Sequence, residues 1–264
     1  FKQKTAYDLG VRLVGSEMCI RDSYGNIYFT DIPTERILRW TPDDGVTTYR
    51  QNTNQANGLI FDLDGRLLIC EMKTRRITAL GLGGNEMNIA DHFDGLRFNS
   101  PNDMWVDRNG GIYFTDPRYG ATDDIELDGN HVFYITPSTN TGLQVTTDLV
   151  RPNGLVGTPD GRRLYIADHG GGQTFVFDIE PDGRLTNQRV FVSQGADGIT
   201  LDSKGNVYLT GDDVTIYNPS GIPVGSIAVP EPPANLAFGG IDGKTLFITA
   251  RSSLYSVKMT VTGQ

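Results

Sequence analysis

Short apolar runs rich in β-branched and aromatic residues recur along the chain, and each follows a polar turn that contains glycine. Runs of this length and composition, bounded by turn residues and without helical periodicity, are typical of β-strands. Most of the runs end in an acidic residue. The copies are YGNIYFTD (24–31), DGRLLICE (64–71), NGGIYFTD (109–116), DGRRLYIAD (160–168), KGNVYLTGD (204–212) and DGKTLFITA (242–250).

The turn glycines of these copies serve as a ruler for the repeat. They are Gly25, Gly65, Gly110, Gly161, Gly205 and Gly243, separated by 40, 45, 51, 44 and 38 residues. A period near this length with strand-like runs indicates β-propeller blades of four strands each. In the second copy the pattern predicts strands at 58–61, 66–71 and 76–80, with an Asp-Gly hairpin turn at 64–65. The sequence therefore predicts an all-β fold, a six-bladed β-propeller around a central channel.

Residues 1–22 differ from this pattern, since they show neither strand alternation nor a helical apolar face. They resemble the translated sequencing-adapter peptide found at the ends of metagenomic reading frames. We therefore expect 1–22 to be a non-native leader and 23–264 to form a single propeller domain. Closing the ring requires a strand from the N-terminus beside the C-terminal run at 253–261. A foreign leader at that place predicts lowered stability rather than a different fold.

Composition removes several classes of function. The formal net charge is −9, which argues against nucleic acid or an anionic membrane as a partner. Cys19 and Cys70 are too few for a disulfide framework, and three histidines are too few for a His-rich metal site. No apolar run approaches the length of a membrane span. We expect a soluble protein.

One position carries a side-chain oxygen in every copy of the repeat. Eight residues before the turn glycines lie Glu17, Asn57, Asn102, Asn153, Asp197 and Asn235. Equivalent positions of a propeller lie at the same height and radius, so these side chains are expected to converge on the axis. Two carboxylates and four neutral amides suit a hard cation such as Ca²⁺. The alternative is that each residue caps its own loop as an Asx turn. The set as a whole favours a metal-binding channel.

Longer motifs resemble the SMP-30/gluconolactonase/LRE-like family of six-bladed propellers. The resemblance is carried by YFTD (28–31), ANGLIFDLDGRLLICE (56–71), LRFNSPNDMWVDRNGGIYFTDPRYG (96–120), RPNGLVGTPDGRRLYIAD (151–168) and GADGITLDSKGNVYLT (195–210). The NSPND and FTDPRYG segments look most like the bacterial gluconolactonase and Drp35-type lactonase branch. The location stays unknown, with the bacterial cytoplasm and the periplasm as the two alternatives.

The resemblance implies that the channel holds one divalent cation. Ca²⁺ is the first candidate, and Zn²⁺, Mn²⁺ and Mg²⁺ are the alternatives. Its implied ligands are Glu17, Asn102, Asn153 and Asp197. Glu17 is followed by Met18 and Cys19, where the family has Gly-Pro. The sequence around this ligand position therefore departs from the family motif. Asn57 and Asn235 are expected to support the ligands or to bind water.

The resemblance also implies a lactonase, a carboxylic-ester hydrolase that opens a small sugar-type lactone. The cation would polarise the lactone carbonyl while water attacks with help from Asp197 as the catalytic residue. Asn102, Asp116, Tyr119 and His169 are the candidates for substrate contact, although the last three could instead bond the blade backbone.

Two other functions stay open at this point. One is a metal-dependent organophosphate or aryl-ester hydrolase that uses the same type of site. The other is a non-enzymatic propeller scaffold, which has no need for acids and amides at the axis. Comparing lactone with phosphotriester hydrolysis, with and without a chelator, separates the ester hydrolase from a lactonase. A calorimetric titration that shows no tight binding of a metal ion would favour the scaffold.

Overall fold

The structure is a computed structural model that describes residues 2–9, 16–137 and 142–264. All but one of the regular elements in these ranges are β-strands. The exception is a 3-10 turn at Ile32–Thr34. No helix of the described residues is long and apolar enough to cross a bilayer.

The strands are numbered in chain order. The N-terminal pair is β1 (Lys2–Thr5) and β2 (Tyr7–Asp8). Blade 1 contains β3 (Ser16–Arg21), β4 (Ile27–Asp31), β5 (Arg36–Thr41) and β6 (Gly45–Gln51). Blade 2 contains β7 (Ala56–Phe61), β8 (Leu67–Glu71), β9 (Arg76–Leu80) and β10 (Glu86–Ala90), and a short hairpin of β11 (His92–Phe93) and β12 (Leu96–Arg97) follows it.

The remaining blades repeat this arrangement. Blade 3 contains β13 (Met104–Val106), β14 (Ile112–Asp116), β15 (His131–Ile135) and β16 (Gly142–Gln144). Blade 4 contains β17 (Pro152–Gly157), β18 (Arg163–Asp168), β19 (Gln173–Ile179) and β20 (Leu185–Val192). Blade 5 contains β21 (Ile199–Leu201), β22 (Val207–Thr210), β23 (Val214–Tyr217) and β24 (Pro223–Ala228), and blade 6 contains β25 (Pro233–Gly239), β26 (Thr245–Ala250) and β27 (Ser253–Lys258).

The strands of each blade form an antiparallel meander in which the first strand lies at one edge of the sheet. This topology confirms the predicted six-bladed β-propeller. The predicted turn glycines Gly25, Gly65, Gly110, Gly161, Gly205 and Gly243 all have positive φ, between 63° and 87°. Glycine adopts this conformation without a steric cost, which explains why the hairpin turns carry it.

The N-terminal segment completes the last two sheets. Strand β2 pairs antiparallel with β27 and supplies the fourth strand of blade 6, as the expected closure requires. Strand β1 pairs parallel with β24 as a fifth strand of blade 5. Residues 2–5, 7–8 and 16–21 form strands although their sequence shows no strand alternation, because pairing with a neighbouring strand imposes an extended backbone. Their non-native origin stays a prediction.

The chain divides into two compact units, one formed by residues 1–56 with 196–264 and the other by residues 57–195. We call the first the terminal unit, with blades 1, 5 and 6, and the second the central unit, with blades 2, 3 and 4. Apolar clusters fill the space between consecutive blades inside each unit. In the central unit, Phe114 and Phe133 pack against residues of blade 2, including the buried Cys70, while Tyr113 packs toward blade 4. In the terminal unit, Phe247 contacts Trp40 of blade 1 with ring centroids 4.9 Å apart.

Candidate functional site

The six residues at the repeated oxygen-bearing position all lie where the first strand of a blade begins. Glu17, Asn57, Asn153 and Asn235 are the second or third residues of β3, β7, β17 and β25. Asn102 and Asp197 stand two residues before β13 and β21. The fixed spacing of the repeat therefore marks the start of the first strand in each blade.

In the central unit, backbone contacts bring three of these asparagines together. The backbone N–H of Gly58, next to Asn57, donates to the carbonyl oxygen of Asn102 at 2.7 Å. Asn102 donates its own N–H to the carbonyl oxygen of Thr115 at 2.8 Å. The Thr115 hydroxyl then donates to the carbonyl oxygen of Asn153 at 2.8 Å. A continuous chain of hydrogen bonds thus links the three positions across blades 2, 3 and 4.

The approach of β7 to the loop before β13 depends on glycine. A Cβ atom at residue 58 would lie 2.4 Å from the Asn102 carbonyl oxygen and 2.9 Å from the Asp103 Cα. Both neighbours are backbone atoms, so they cannot move aside as a flexible side chain would. Gly58 therefore sets the distance between Asn57 and Asn102.

The three amide side chains of the central unit differ in their partners. Asn57 Nδ2 donates to the sulfur of Met72 at 3.3 Å, and Asn153 Nδ2 donates to the Tyr119 hydroxyl at 2.8 Å. The side chain of Asn102 makes no hydrogen bond to any other described residue, although only 7% of the residue is exposed. The Asn102 amide therefore keeps its donors and its acceptor available for a ligand.

In the terminal unit, Asp197 and Asn235 also lie close to each other through their backbones. A Cβ atom at residue 198 would lie 2.6 Å from both Cα and Oδ1 of Asn235, so Gly198 is required there. The Oδ1 atom of Asn235 accepts the backbone N–H of Leu236 at 2.7 Å. Asn235 thus shows the local backbone contact expected of a loop cap. Asp197 is half-buried.

Glu17 lies on β3, where its backbone is paired with Thr30 of β4. Its side chain lies outside the part of the chain that the structure describes. Its role as a ligand stays a prediction.

Asp116, a candidate for substrate contact, is completely buried at the end of β14. Its two carboxylate oxygens accept the backbone N–H groups of Asn99 and Ser100, each at 2.7 Å. Burial raises the pKa of Asp116 to about 7, while those two N–H donors and the charges of Arg75 and Arg118 act in the opposite direction. The geometry favours a role in holding the loop before Asn102, and the substrate contact stays a prediction.

Asp168 holds the loop before Asn153 in the same way. Its carboxylate accepts the backbone N–H groups of Val150 at 2.9 Å and Arg151 at 2.7 Å. An acid at the end of a blade's second strand therefore fixes the backbone two or three residues ahead of an oxygen-bearing side chain. The acids are visible in the repeat, but this function depends on contacts that the sequence pattern does not show.

Tyr119 and His169 lie in loops that follow the second strands of blades 3 and 4. Tyr119 is 37% exposed and accepts the hydrogen bond from Asn153, and His169 is exposed. The guanidinium of Arg151 lies over the Tyr119 ring, 5.2 Å from its centroid. Sequence reasoning missed both Arg151 and Thr115. The signals available were the arginine two residues before Asn153 and the threonine of the FTD motif.

The donor chemistry of these residues fits a hard divalent cation. No group of three or more His, Cys, Asp and Glu residues that could hold a metal ion occurs among the described residues. The buried Asn57, Asn102 and Asn153 supply amide oxygens in the central unit. Ca²⁺ accepts amide carbonyl oxygens together with carboxylates. The residues present are compatible with the implied cation.

Comparison with known proteins gives a consistent result. The description "SMP-30/Gluconolactonase/LRE-like region" matches residues 16–252. The chain belongs to the SMP-30/gluconolactonase/LRE-like family. This family match starts within β3 and includes all six oxygen-bearing positions, whereas β1 and β2 lie outside it.

Several relatives show how much of the chain shares this family pattern. A gluconolactonase of Zymomonas mobilis is 30% identical, over 90% of this chain and 76% of its own length. The lactonase Drp35 of Staphylococcus aureus is 25% identical, over 79% of this chain and 68% of its own. The structure of a gluconolactonase from Xanthomonas campestris superposes with a TM-score of 0.89 at 28% identity, covering 98% of this chain and 89% of that one.

Proposed function

We propose that the protein is a metal-dependent hydrolase that opens a sugar-type lactone, as a gluconolactonase does. Membership of the SMP-30/gluconolactonase/LRE-like family and the gluconolactonase and lactonase relatives support lactone hydrolysis. The observation that carries the proposal is the set of three buried asparagines in the central unit, in which the Asn102 amide makes no hydrogen bond to another described residue.

In this proposal Glu17, Asn102, Asn153 and Asp197 hold one divalent cation, with Ca²⁺ as the first candidate. The cation supplies Lewis-acid polarisation of the lactone carbonyl when it is bound. Asp197 accepts a hydrogen bond from the attacking water and so directs its oxygen toward the carbonyl carbon. A carboxylate beside a cation has a lowered pKa and is a weak base, so orienting the water is its main contribution. The ring C–O bond then breaks, and the leaving ring oxygen takes the proton that the attacking water gives up, which yields the open hydroxy acid.

The remaining site residues have supporting roles in this proposal. Asn102 contacts either the cation or the lactone with its free amide. Tyr119 and His169 contact the hydroxyl groups of the lactone, while Tyr119 also orients the Asn153 amide through its 2.8 Å hydrogen bond. Asp116 either contacts substrate or, as its buried position favours, keeps the loop at residues 99–100 in place. Asn57 and Asn235 support the ligands from neighbouring blades.

The decisive test is turnover of glucono-1,5-lactone and a panel of other lactones by chelator-treated protein, before and after addition of Ca²⁺, Zn²⁺, Mn²⁺ or Mg²⁺. We expect loss of activity on chelation and recovery with one of these ions. A phosphotriester and an aryl ester belong in the same panel. Preference for either of these, or no lactone turnover with any ion, would overturn the proposal. Failure to bind any of the four ions in calorimetry would favour a binding scaffold instead.

A further inference from the structure

Arg151 lies at an exposed place beside Asn153, and nothing in the proposed mechanism uses it. We infer that Arg151, held over the Tyr119 ring, binds the carboxylate of the hydroxy acid that lactone hydrolysis releases. This inference rests on the proposed function, because lactone opening is what creates a carboxylate at this site.

Arg151 is one of the exposed arginines that form no ion pair with a described residue. Other arginines are neutralised by an acid, such as Arg76 by Glu71 at 2.8 Å and Arg189 by Asp178 at 2.7 Å. Arg151 has no ion pair with any described residue, even though the chain has a net charge of −9. Its guanidinium group lies against the face of the Tyr119 ring. An arginine with this arrangement keeps its N–H donors available for an anion.

The backbone around Arg151 is fixed on both sides. Its N–H donates to Asp168 at 2.7 Å, and its carbonyl oxygen accepts the N–H of Gly170 at 3.4 Å. A Cβ atom at residue 170 would lie 2.6 Å from the Cβ of Arg151, so the two segments are in close contact. The side chain therefore starts from a defined point two residues from Asn153.

Tyr119 connects the arginine to the proposed cation ligand. Its ring faces the guanidinium, and its hydroxyl accepts the Asn153 amide at 2.8 Å. Stacking on an aromatic face orients a planar guanidinium while its edge remains open to a bidentate carboxylate. Such an Arg–carboxylate pair is stronger than a neutral hydrogen bond and requires a full negative charge on the ligand. Arg151 therefore favours the open hydroxy acid over the neutral lactone.

The test compares D-gluconate, which carries the carboxylate, with D-glucitol, a neutral polyol of the same chain length. Binding of both to the full-length metal-loaded protein is measured by calorimetry, and gluconate is also measured as an inhibitor of lactone turnover. Arg151→Met should weaken gluconate binding at least tenfold, since it removes a hydrogen bond to a charged group. Arg151→Lys keeps the positive charge but loses the planar guanidinium group. Its gluconate affinity should lie between those of the wild type and Arg151→Met. Glucitol binding should not change in either variant.

Arg162→Met is the matched control, because Arg162 is an exposed arginine on the β17–β18 hairpin turn and its removal changes the net charge equally. It should leave gluconate binding unchanged. Unaltered gluconate binding in Arg151→Met, or an equal loss of gluconate and glucitol binding, would refute the inference. Should Arg151→Met fail to fold, Arg151→Lys gives the same comparison.

The two proposals fail in distinguishable ways. A wild-type protein that hydrolyses no lactone disproves the proposed function, while the gluconate titration still decides the role of Arg151. A wild-type protein that hydrolyses lactones but does not bind gluconate disproves the inference alone.

Discussion

At the scale of single residues, Thr115 joins two blades beside the candidate site. Its hydroxyl accepts the backbone N–H of Asp103 at 3.1 Å and donates to the carbonyl oxygen of Asn153 at 2.8 Å. Thr115→Val keeps the shape but leaves both buried groups unpaired. We expect the free energy of unfolding to fall by about 1–3 kcal/mol, together with a lower kcat for lactone turnover.

Denaturant titration of the purified variant measures the stability change for Thr115→Val. Thr122→Val provides a matched control, because Thr122 lies in an exposed loop of the same unit. Equal free energies of unfolding in the two variants would show that the hydrogen bonds of the Thr115 hydroxyl do not stabilise the fold.

Asp197 carries the strongest expectation for a single side chain. Asp197→Ala removes both a proposed cation ligand and the group that orients water, so lactone turnover should fall below detection. Asp43→Ala, at an exposed acidic position, should retain wild-type turnover. Turnover at the wild-type rate by Asp197→Ala would eliminate its assignment as the catalytic residue.

The residues of the candidate site differ in how far the sequence alone could identify them. Asn57, Asn102 and Asn153 occupy one position of a repeat, so a fixed spacing from the turn glycines revealed them. Arg151 contacts the site by stacking on the Tyr119 ring. Because the two residues lie in different loops, this contact produces no regular spacing in the sequence. Thr115 was visible in the FTD motif, but its function depends on a neighbouring blade.

At the scale of elements, the loop before β13 depends on the buried carboxyl of Asp116. The pKa of Asp116 is about 7 in the folded protein because of burial, against about 3.9 in an unfolded chain. Between these values the folded state binds more protons at this group than the unfolded state. The Asp116 contribution to stability is therefore complete below pH 4 and is lost as the pH rises through 7, with a slope of up to about 1.4 kcal/mol per pH unit.

Denaturant titrations at several values between pH 4 and pH 8 measure this dependence, with Asp116→Asn for comparison. The amide does not titrate, so the difference in unfolding free energy between wild type and variant should shrink as the pH rises. Asp182→Asn, at an exposed turn, should follow the wild-type profile. A constant difference between wild type and Asp116→Asn would contradict the raised pKa.

The prediction of elements was most accurate where turn chemistry defined the strand ends. The second repeat has its strands at Leu67–Glu71 and Arg76–Leu80, as predicted from the Asp-Gly turn and the apolar runs. Residues 1–22 show no strand alternation in their sequence. Strands β1 and β2 are short, and their backbone conformation follows from the partners β24 and β27 rather than from their own side chains.

At the scale of the whole molecule, the N-terminal segment covers two sheet edges. Ala6 donates its N–H to Ala228 at 3.0 Å, and Leu9 donates to Leu254 at 2.9 Å. Removing residues 1–9 exposes the outer edges of β24 and β27 and deletes these hydrogen bonds. We expect the melting temperature to fall by about 5 °C or more, because each lost hydrogen bond contributes about 1 kcal/mol and a domain of this size loses about 2–4 °C per kcal/mol.

Differential scanning calorimetry of the truncated chain tests this contribution. A second variant, with residues 2–9 replaced by a Gly-Ser sequence of equal length, separates loss of pairing from loss of chain length. An unchanged melting temperature in both variants would show that the two edges need no covering strand.

Cation binding should also affect the stability of the whole protein. An ion that binds only the folded state raises the unfolding free energy by about 2.7 kcal/mol at a concentration 100 times its dissociation constant. Ca²⁺ should therefore raise the melting temperature of chelator-treated protein by about 5–10 °C in a concentration-dependent way. The same titration of Asp197→Ala should give a much smaller shift. Equal shifts in both proteins would place the ion elsewhere.

The pairing of β1 and β2 with the final blades has a consequence for biosynthesis. The Lys4 side chain donates to the carbonyl oxygen of Lys258, a separation of 254 positions, so each N-terminal strand meets its partner across most of the sequence. Contacts of such long sequence separation close late, since the loop entropy must be overcome before they form. Strands β1 and β2 therefore stay unpaired until β24 and β27 have been synthesised, and during that time their edges are open to association with other chains.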